Sequence, residues 1–255
     1  MVKNTFRFLR TVVSATILSS VIVCHAKSDT VTLTAQAWLV ADNNGKIIEG
    51  QNTKDIRSIA SITKLMTVMV VLDANQPLDQ VISTKLHKKK LTRRELMALS
   101  TIHSDNTAAR ILCEQYPSGL KGCVQAMNDK AKILSMTNTY FVEPTGLLND
   151  NVSTAEELVK LVMAASHYPI IVEDSNTASV KFPTSKKKFV EFRNTNSLVG
   201  KGQDFIVSKT GFIRRAGGCI VMMVNTDHGI RTVVLLGSKN TKTRIPEAKL
   251  IASAY

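Results

Sequence analysis

The sequence places a serine and a lysine at a spacing that suits nucleophilic catalysis. Ser61 and Lys64 are three positions apart, so one helical turn carries both on the same face. A serine hydroxyl needs a neighbouring base before it attacks a carbonyl at neutral pH. Lys64 can be that base if its pKa is lowered, which the start of a helix and burial in the following apolar run both favour. The pair therefore indicates chemistry through a covalent serine intermediate, although so short a pattern also arises by chance.

Two further short motifs could complete such a site. Ser104 and Asn106 precede a helical pattern, where a hydroxyl could relay protons and an amide could hold a carbonyl group. Lys209, Thr210 and Gly211 end an apolar strand, where a lysine and a hydroxyl can bind a carboxylate beside a glycine that admits a ligand. Taken alone, the first motif is also typical of a helix cap and the second of a strand that ends in a turn.

In this order, the three motifs match the SxxK, SDN and KTG set of penicillin-binding proteins and class A β-lactamases. Longer stretches carry a closer resemblance, namely SIASITKLMTVMVVLDANQPLD, LTRRELMAL, FVEPTGL, NVSTAEEL, FRNTNSLV, and SKTGF followed by AGGCIVM. Over roughly residues 32 to 240, the sequence resembles the low-molecular-mass penicillin-binding proteins, which are serine D,D-peptidases. Within that family the resemblance is closest to the D-alanyl-D-alanine endopeptidases.

The resemblance implies a fold and a reaction. The fold is the α+β serine β-lactamase/D,D-peptidase fold, in which helices flank a five-stranded antiparallel sheet. In the implied reaction, Ser61 attacks the carbonyl of a D-Ala residue, Lys64 takes the hydroxyl proton, and water later hydrolyses the acyl-enzyme. The resemblance implies no metal and no organic cofactor. It implies peptidoglycan peptides as substrate and β-lactam antibiotics as acylating inhibitors.

The same resemblance gives roles to the other motif residues. Ser104 and Lys209 pass a proton towards the leaving amine, and Asn106 holds the substrate amide. The backbone N–H groups of Ser61 and Phe212 form the oxyanion hole, where the loss of one donor typically costs about 2.7–4 kcal/mol of transition-state stabilisation. The implied substrate-binding residues on the strand are Lys209, Thr210, Gly211 and Phe212.

Hydrophobic patterning predicts the elements that must position these residues. A strand over residues 31–40 and a turn signal at residues 42–45 begin a hairpin, and residues 61–72 form a buried helix with Ser58 as its cap candidate. Further helices are predicted at residues 93–99, 106–115, 122–134 and 154–167, and near the C-terminus. Further strands are predicted at residues 189–192, 205–210, 218–224 and 231–236. The first hairpin and the last three strands should form one antiparallel sheet with helices packed beside it.

The N-terminus has the three-part pattern of a signal peptide. Lys3, Arg7 and Arg10 precede an apolar run that is too short to span a bilayer comfortably, and a cleavage site follows at Ala26. We therefore predict a signal peptide at residues 1–26 and a single catalytic domain at residues 27–255. The protein is expected in the periplasm without a stable membrane anchor; an uncleaved anchor is the alternative.

The excess of positive charge does not by itself require nucleic acid. The chain has 33 Lys+Arg against 20 Asp+Glu and is 44% hydrophobic, which excludes a disordered chain and a multi-span membrane protein. The basic clusters lie at residues 85–90, 93–94 and 186–188, with no interleaved aromatic residues for base stacking. We expect solvated loops there and no nucleic-acid partner.

The cysteines suggest no zinc site, because no CxxC pair occurs. Cys113 and Cys123 flank a turn between two helical patterns, and spacing alone leaves open whether they pair. Cys219 lies in an apolar strand and is predicted to be a buried thiol.

Three other functions compete with the endopeptidase. A D-alanyl-D-alanine carboxypeptidase would use the same residues. A class A β-lactamase would deacylate through a glutamate between the second and third motifs, an interval that contains Glu143. A non-catalytic module that binds wall peptides would be expected to have lost part of a motif, whereas all three are intact. The sequence does not indicate the oligomeric state.

Overall fold

The computed structural model describes residues 33–83, 90–183 and 189–255. The predicted signal peptide at residues 1–26 lies outside the described residues, as do the lysines at residues 85, 88 and 89 and at 186–188.

Eleven strands are described, most of them short. They are β1 Ala37–Ala41, β2 Ile47–Gln51, β3 Arg57–Ser58, β4 Val81–Ser83, β5 Lys90–Thr92, β6 Val152–Ser153, β7 Ser179–Pro183, β8 Phe189–Arg193, β9 Phe205–Ile213, β10 Gly217–Thr226 and β11 Gly229–Ser238. Five form the main antiparallel sheet in the order β2-β1-β11-β10-β9, and three two-stranded sheets pair β3 with β6, β4 with β5, and β7 with β8. The predicted joining of the first hairpin to the last three strands is confirmed. Strand β9, which carries the KTG motif, is an edge of that sheet.

Seven α-helices are described beside the sheet. They are α1 Thr63–Asp73, α2 Arg93–Thr101, α3 Asn106–Glu114, α4 Gly119–Ile133, α5 Ala155–Ala165, α6 Pro169–Asn176 and α7 Arg244–Ala254. Side chains that alternate along the strands divide between two apolar clusters. Leu39 and Val234 lie in the cluster that includes α1 and α5, whereas Val40 and Val233 pack with α7 on the other face. The sheet is thus covered on both faces.

Helix α1 is surrounded by protein. Every residue from Thr63 to Val71 is buried, which agrees with the absence of a polar face in its sequence. The expectation that Ser58 caps this helix is wrong. Ser58 lies in β3, a 3-10 turn at Ala60–Ile62 comes next, and α1 begins without a side-chain cap. This turn carries Ser61.

One of the expected solvated basic clusters is structural instead. Arg93 is 1% exposed, and Arg94 donates two hydrogen bonds to the buried carboxylate of Asp174, which joins α2 to α6. The prediction of solvated side chains at residues 93–94 is therefore wrong, because both lie where α2 packs against the body of the protein.

The structure also resolves the cysteine pairing that spacing left open. Cys113 and Cys123 form a disulfide between α3 and α4, and Cys219 is a buried free thiol.

Candidate active site

Ser61 lies on a tight turn that is held from two sides. The preceding residue, Ala60, has a left-handed backbone with φ of 48°, which is unusual for a residue with a side chain. Gly146 packs directly on this turn, since a Cβ atom there would lie 1.9 Å from the Ala60 carbonyl oxygen. The Thr63 hydroxyl donates to the same carbonyl oxygen at 2.8 Å. The turn that presents Ser61 is therefore fixed by its neighbours.

Lys64 lies at the centre of three hydrogen bonds. Its Nζ is 2.8 Å from Ser61 Oγ, 2.7 Å from Asn106 Oδ1 and 2.6 Å from the Thr145 carbonyl oxygen. The side chain is 1% exposed, and this burial lowers the Lys64 pKa from 10.5 to about 7, against the opposing charges of Glu143 and Asp105. A substantial fraction of Lys64 is therefore neutral near pH 7.

The geometry orients the neutral amine as a base. Asn106 Oδ1 and the Thr145 carbonyl oxygen can only accept, so each takes one of the two N–H groups of a neutral Lys64. The remaining lone pair then faces the third partner, the Ser61 hydroxyl, which can donate. This arrangement can remove the proton from Ser61 as its oxygen attacks a carbonyl carbon.

A second lysine and serine lie across the site. Lys209 Nζ donates to Ser104 Oγ at 2.8 Å and to the Thr210 carbonyl oxygen at 3.0 Å. Lys209 is 1% exposed, and its pKa is held well below the ordinary value by burial first and then by the charges of Lys64 and Arg244. Ser104 has a left-handed backbone with φ of 61°. Because its pKa is lowered, Lys209 can release a proton towards Ser104 more readily than an ordinary lysine could.

Helix α3 places Asn106 towards Lys64. The cap of this helix is the residue between the two motif residues, because Asp105 Oδ1 accepts from the Ala108 backbone N–H at 2.8 Å. Ser104 and Asn106 are thereby left available for Lys209 and Lys64 respectively. The structure brings both ends of this motif to the site.

Strand β9 passes close to the serine turn. A Cβ atom on Gly211 would lie 2.9 Å from the Ser61 backbone nitrogen, so this position needs a glycine if the strand is to approach so closely. Thr210 Oγ1 donates to Thr195 Oγ1 at 2.7 Å, and Arg244 of α7 donates to the Gly211 carbonyl oxygen at 2.5 Å. Phe212 follows with a side chain that is 45% exposed. The fold thus brings the segments that carry all eight sequence-predicted site residues together around the Ser61 turn.

Glu143 does not have the position of a deacylating base. Its carboxylate accepts from the Thr145 hydroxyl at 2.6 Å, and from the backbone N–H groups of Thr145 at 2.7 Å and Gly146 at 2.6 Å. Asn151 donates to it as well, at 3.1 Å. These bonds fold the loop that presents the Thr145 carbonyl oxygen to Lys64. The Glu143 carboxylate therefore stabilises this loop, which argues against the class A β-lactamase alternative.

Three residues of the site were not assigned a role from the sequence. Thr145 and Thr195 lie in FVEPTGL and FRNTNSLV, stretches that carried the family resemblance without a role for these positions. Arg244 had no sequence signal, since only the docking of α7 brings it to β9.

The described residues contain no group of three or more His, Cys, Asp or Glu side chains that could hold a metal ion. Within the same residues, no helix is long and apolar enough to cross a bilayer.

Comparisons with known proteins point to one family. Residues 23–240 match the family described as D-alanyl-D-alanine carboxypeptidase. The D-alanyl-D-alanine endopeptidase of Escherichia coli K12 is 37% identical over 228 residues, covering 83% of this chain and 74% of the relative. The Pseudomonas aeruginosa protein of that name is 36% identical over 233 residues, with coverage of 85% and 75%.

A solved structure extends the agreement to the fold. Penicillin-binding protein D2 from Listeria monocytogenes, in its cefotaxime-bound form, superposes with a TM-score of 0.75 at 26% identity, covering 87% of this chain and 96% of that chain. The serine β-lactamase/D,D-peptidase fold expected from the sequence is confirmed. The chain belongs to the D-alanyl-D-alanine carboxypeptidase family and is a serine hydrolase of the D,D-peptidase type.

Proposed function

We propose that this D,D-peptidase is an endopeptidase that hydrolyses the amide between D-Ala and the side-chain amine of a diamino acid in peptidoglycan cross-links. The observation that carries the proposal is the 2.8 Å contact between Lys64 Nζ and Ser61 Oγ, in which the lysine pKa is about 7. The names of the Escherichia coli and Pseudomonas aeruginosa relatives support the preference for endopeptidase over carboxypeptidase activity.

The reaction proceeds in two steps. Ser61 Oγ bonds to the D-Ala carbonyl carbon while its proton passes to Lys64, and the backbone N–H groups of Ser61 and Phe212 stabilise the oxyanion. The carbon–nitrogen bond then breaks, and the leaving amine receives a proton through Ser104 and Lys209. Water next attacks the ester, so that a peptide ending in D-Ala and the free enzyme are released. Asn106 holds the substrate amide, and Thr210 with Lys209 binds a carboxylate on the leaving-group side.

The same serine should react with β-lactams. The Listeria monocytogenes relative is a cefotaxime-bound penicillin-binding protein, and opening of a β-lactam ring by Ser61 forms an analogous ester. Because Glu143 is engaged in folding its own loop, it is not placed to act as the glutamate that speeds deacylation in a class A β-lactamase. A long-lived acyl-enzyme is the expected product.

The place of action follows from the predicted leader. Residues 1–26 direct export, and the enzyme works in the periplasm on the wall polymer.

One experiment separates the candidate activities. Purified protein is incubated with cross-linked muropeptide dimers and with uncross-linked pentapeptide, and the products are separated. Conversion of dimers to monomers, lost in Ser61→Ala, supports the endopeptidase. Release of terminal D-Ala with intact dimers identifies a carboxypeptidase instead. Rapid turnover of penicillin with intact dimers would overturn the proposal in favour of a β-lactamase.

A further inference from the structure

A charged cavity of about 260 Å³ lies beside the serine turn. Its walls come from strand β3, from the loop before β6, and from the turn between β9 and β10. Its polar lining consists of Arg57, Ser58, Asn149, Asp150 and Arg215. None of these residues has a role in the reaction described above.

In the proposed reaction, the cavity lies on the acyl-donor side of Ser61. Lys209 and Thr210 mark the leaving-group side, so the donor peptide extends in the opposite direction, past Phe212. From Gly211, which lies against the Ser61 backbone, two strand residues and two turn residues lead to Arg215, a span of at most roughly 13 Å at about 3.3 Å per residue. An extended peptide can pair with an edge strand such as β9 and follow it in this direction.

Three polar groups of the cavity are not engaged by their surroundings. Among the described residues, neither Arg215 nor Asp150 makes a side-chain hydrogen bond or an ion pair, and both are exposed. The Ser58 hydroxyl is different, because the residue is only 9% exposed and its oxygen has no hydrogen-bond partner in the described structure. A buried polar atom without a partner is uncommon and suggests that a ligand group supplies one. Arg57, by contrast, is held by Gln36 and by Asp55 at 3.9 Å.

The opposite charges of Arg215 and Asp150 restrict the chemistry of a ligand that could bind in the cavity. A simple anion would be attracted by Arg215 but repelled by Asp150. A simple cation would be attracted by Asp150 but repelled by Arg215. A group that carries a carboxylate and an ammonium on the same carbon satisfies both side chains. The free end of a diamino acid, whose other end is part of the peptide chain, has this chemistry.

We propose that the cavity binds the zwitterionic side-chain end of the diamino acid that precedes the scissile D-Ala. Arg215 and the Ser58 hydroxyl receive its carboxylate, and Asp150 receives its ammonium. One residue of extended backbone and a side chain of several carbons can span the distance from Ser61 to the cavity. This inference rests on the proposed function. It adds that the enzyme recognises the side chain that precedes the scissile D-Ala in the donor peptide.

The test compares two synthetic donors in which the carbonyl group of D-Ala is joined to the side-chain amine of a second diamino acid, which is the bond that the proposed activity cleaves, and it measures the released amine. They differ only in the preceding side chain, which ends either in the free amino-acid group or in a methyl group of similar length. For the wild-type protein, we expect kcat/KM to be about tenfold higher for the zwitterionic donor, as charged hydrogen bonds of ordinary strength would give. Arg215→Gln and Asp150→Asn should each remove most of this preference.

Arg214→Gln is the matched control, because Arg214 is the adjacent exposed arginine and does not line the cavity. It should keep the wild-type preference. Acylation by a penicillin without such a side chain should proceed at the wild-type rate in Arg215→Gln, which shows that the catalytic residues are intact.

The outcomes separate the two proposals. Equal hydrolysis of both donors by the wild-type protein overturns the cavity assignment and leaves the proposed function standing. Equal loss of preference in Arg214→Gln and Arg215→Gln also overturns it, because general surface charge would then be the cause. If the wild-type protein hydrolyses neither donor nor cross-linked dimers, the proposed function fails and the subsite fails with it.

Discussion

Acylation of Ser61 should rise with pH and level off around the pKa of Lys64. Burial lowers this pKa from 10.5 to about 7, and the neutral amine is the form that accepts the serine proton. Below pH 7 Lys64 is protonated and the rate should fall about tenfold per pH unit; above pH 8 the base is almost entirely neutral and the rate should be flat.

The size of the effect follows from the two pKa values. At pH 7, about half of the Lys64 side chains are neutral, whereas at a pKa of 10.5 about one lysine in 3,000 would be. Burial therefore increases the population of reactive base roughly 1,600-fold at neutral pH. The quantity to measure is the second-order rate constant for acylation by a fluorescent penicillin, from pH 5.5 to 9.5.

A conservative variant tests the cause of the midpoint. The negative charge of Asp105 raises the Lys64 pKa, so Asp105→Asn should move the midpoint to lower pH. Asparagine is an equally good N-cap, so the hydrogen bond to the Ala108 N–H and the start of α3 should persist. Asp129→Asn, which removes an exposed carboxylate of α4, is the control and should leave the midpoint unchanged.

Two results would refute this reasoning. A rate that keeps rising tenfold per unit beyond pH 9 would show that Lys64 titrates as an ordinary lysine. An Asp105→Asn profile that coincides with the wild type, in a protein with unchanged circular dichroism, would show that the midpoint belongs to another group.

Three further predictions concern the framework of the site. Replacement of Cys113 and Cys123 by alanine should lower the free energy of unfolding by about 3 kcal/mol in urea titrations, as expected for a cross-link that spans 10 positions; an unchanged midpoint would contradict this. Gly146→Ala should reduce both the melting temperature and penicillin acylation, because the added Cβ collides with the serine turn at a φ of 80°. Arg244→Met should slow acylation with little change in fold by circular dichroism, since it releases the Gly211 carbonyl oxygen; a wild-type rate would exclude this positioning role.

Much of the framework could be predicted because its signals are local. The apolar run after Ser61 has no polar face, and the structure buries α1 on all sides. The strands of residues 218–224 and 231–236 are rich in β-branched and apolar residues, and they become the centre of the main sheet. The three motifs could be found from their order along the chain. The fold then brings them together in space.

The parts that escaped prediction depend on contacts between distant segments. Helix α6 has only eight residues and a short apolar run, which periodicity cannot distinguish from a strand. Arg94 reads as a surface charge until its partner Asp174, 80 positions away, is placed beside it. Arg244 likewise gains its contact to Gly211 only when α7 packs on the sheet. Composition and spacing do not contain these pairings.

Three buried basic side chains connect the activation of Ser61 with the recognition of the substrate. Lys64, Lys209 and Arg244 are each at most 7% exposed, and no carboxylate hydrogen-bonds to any of the three among the described residues. Burial lowers the pKa of Lys209 as it lowers that of Lys64, and the charges of Lys64 and Arg244 lower the Lys209 pKa further. A substrate carboxylate beside Thr210 would reverse this, because a nearby anion raises the pKa of a lysine. Binding of a peptide with this carboxylate would thereby favour the protonated form of Lys209, which can supply the proton that the leaving amine needs, whereas a ligand without a carboxylate would leave the Lys209 pKa low.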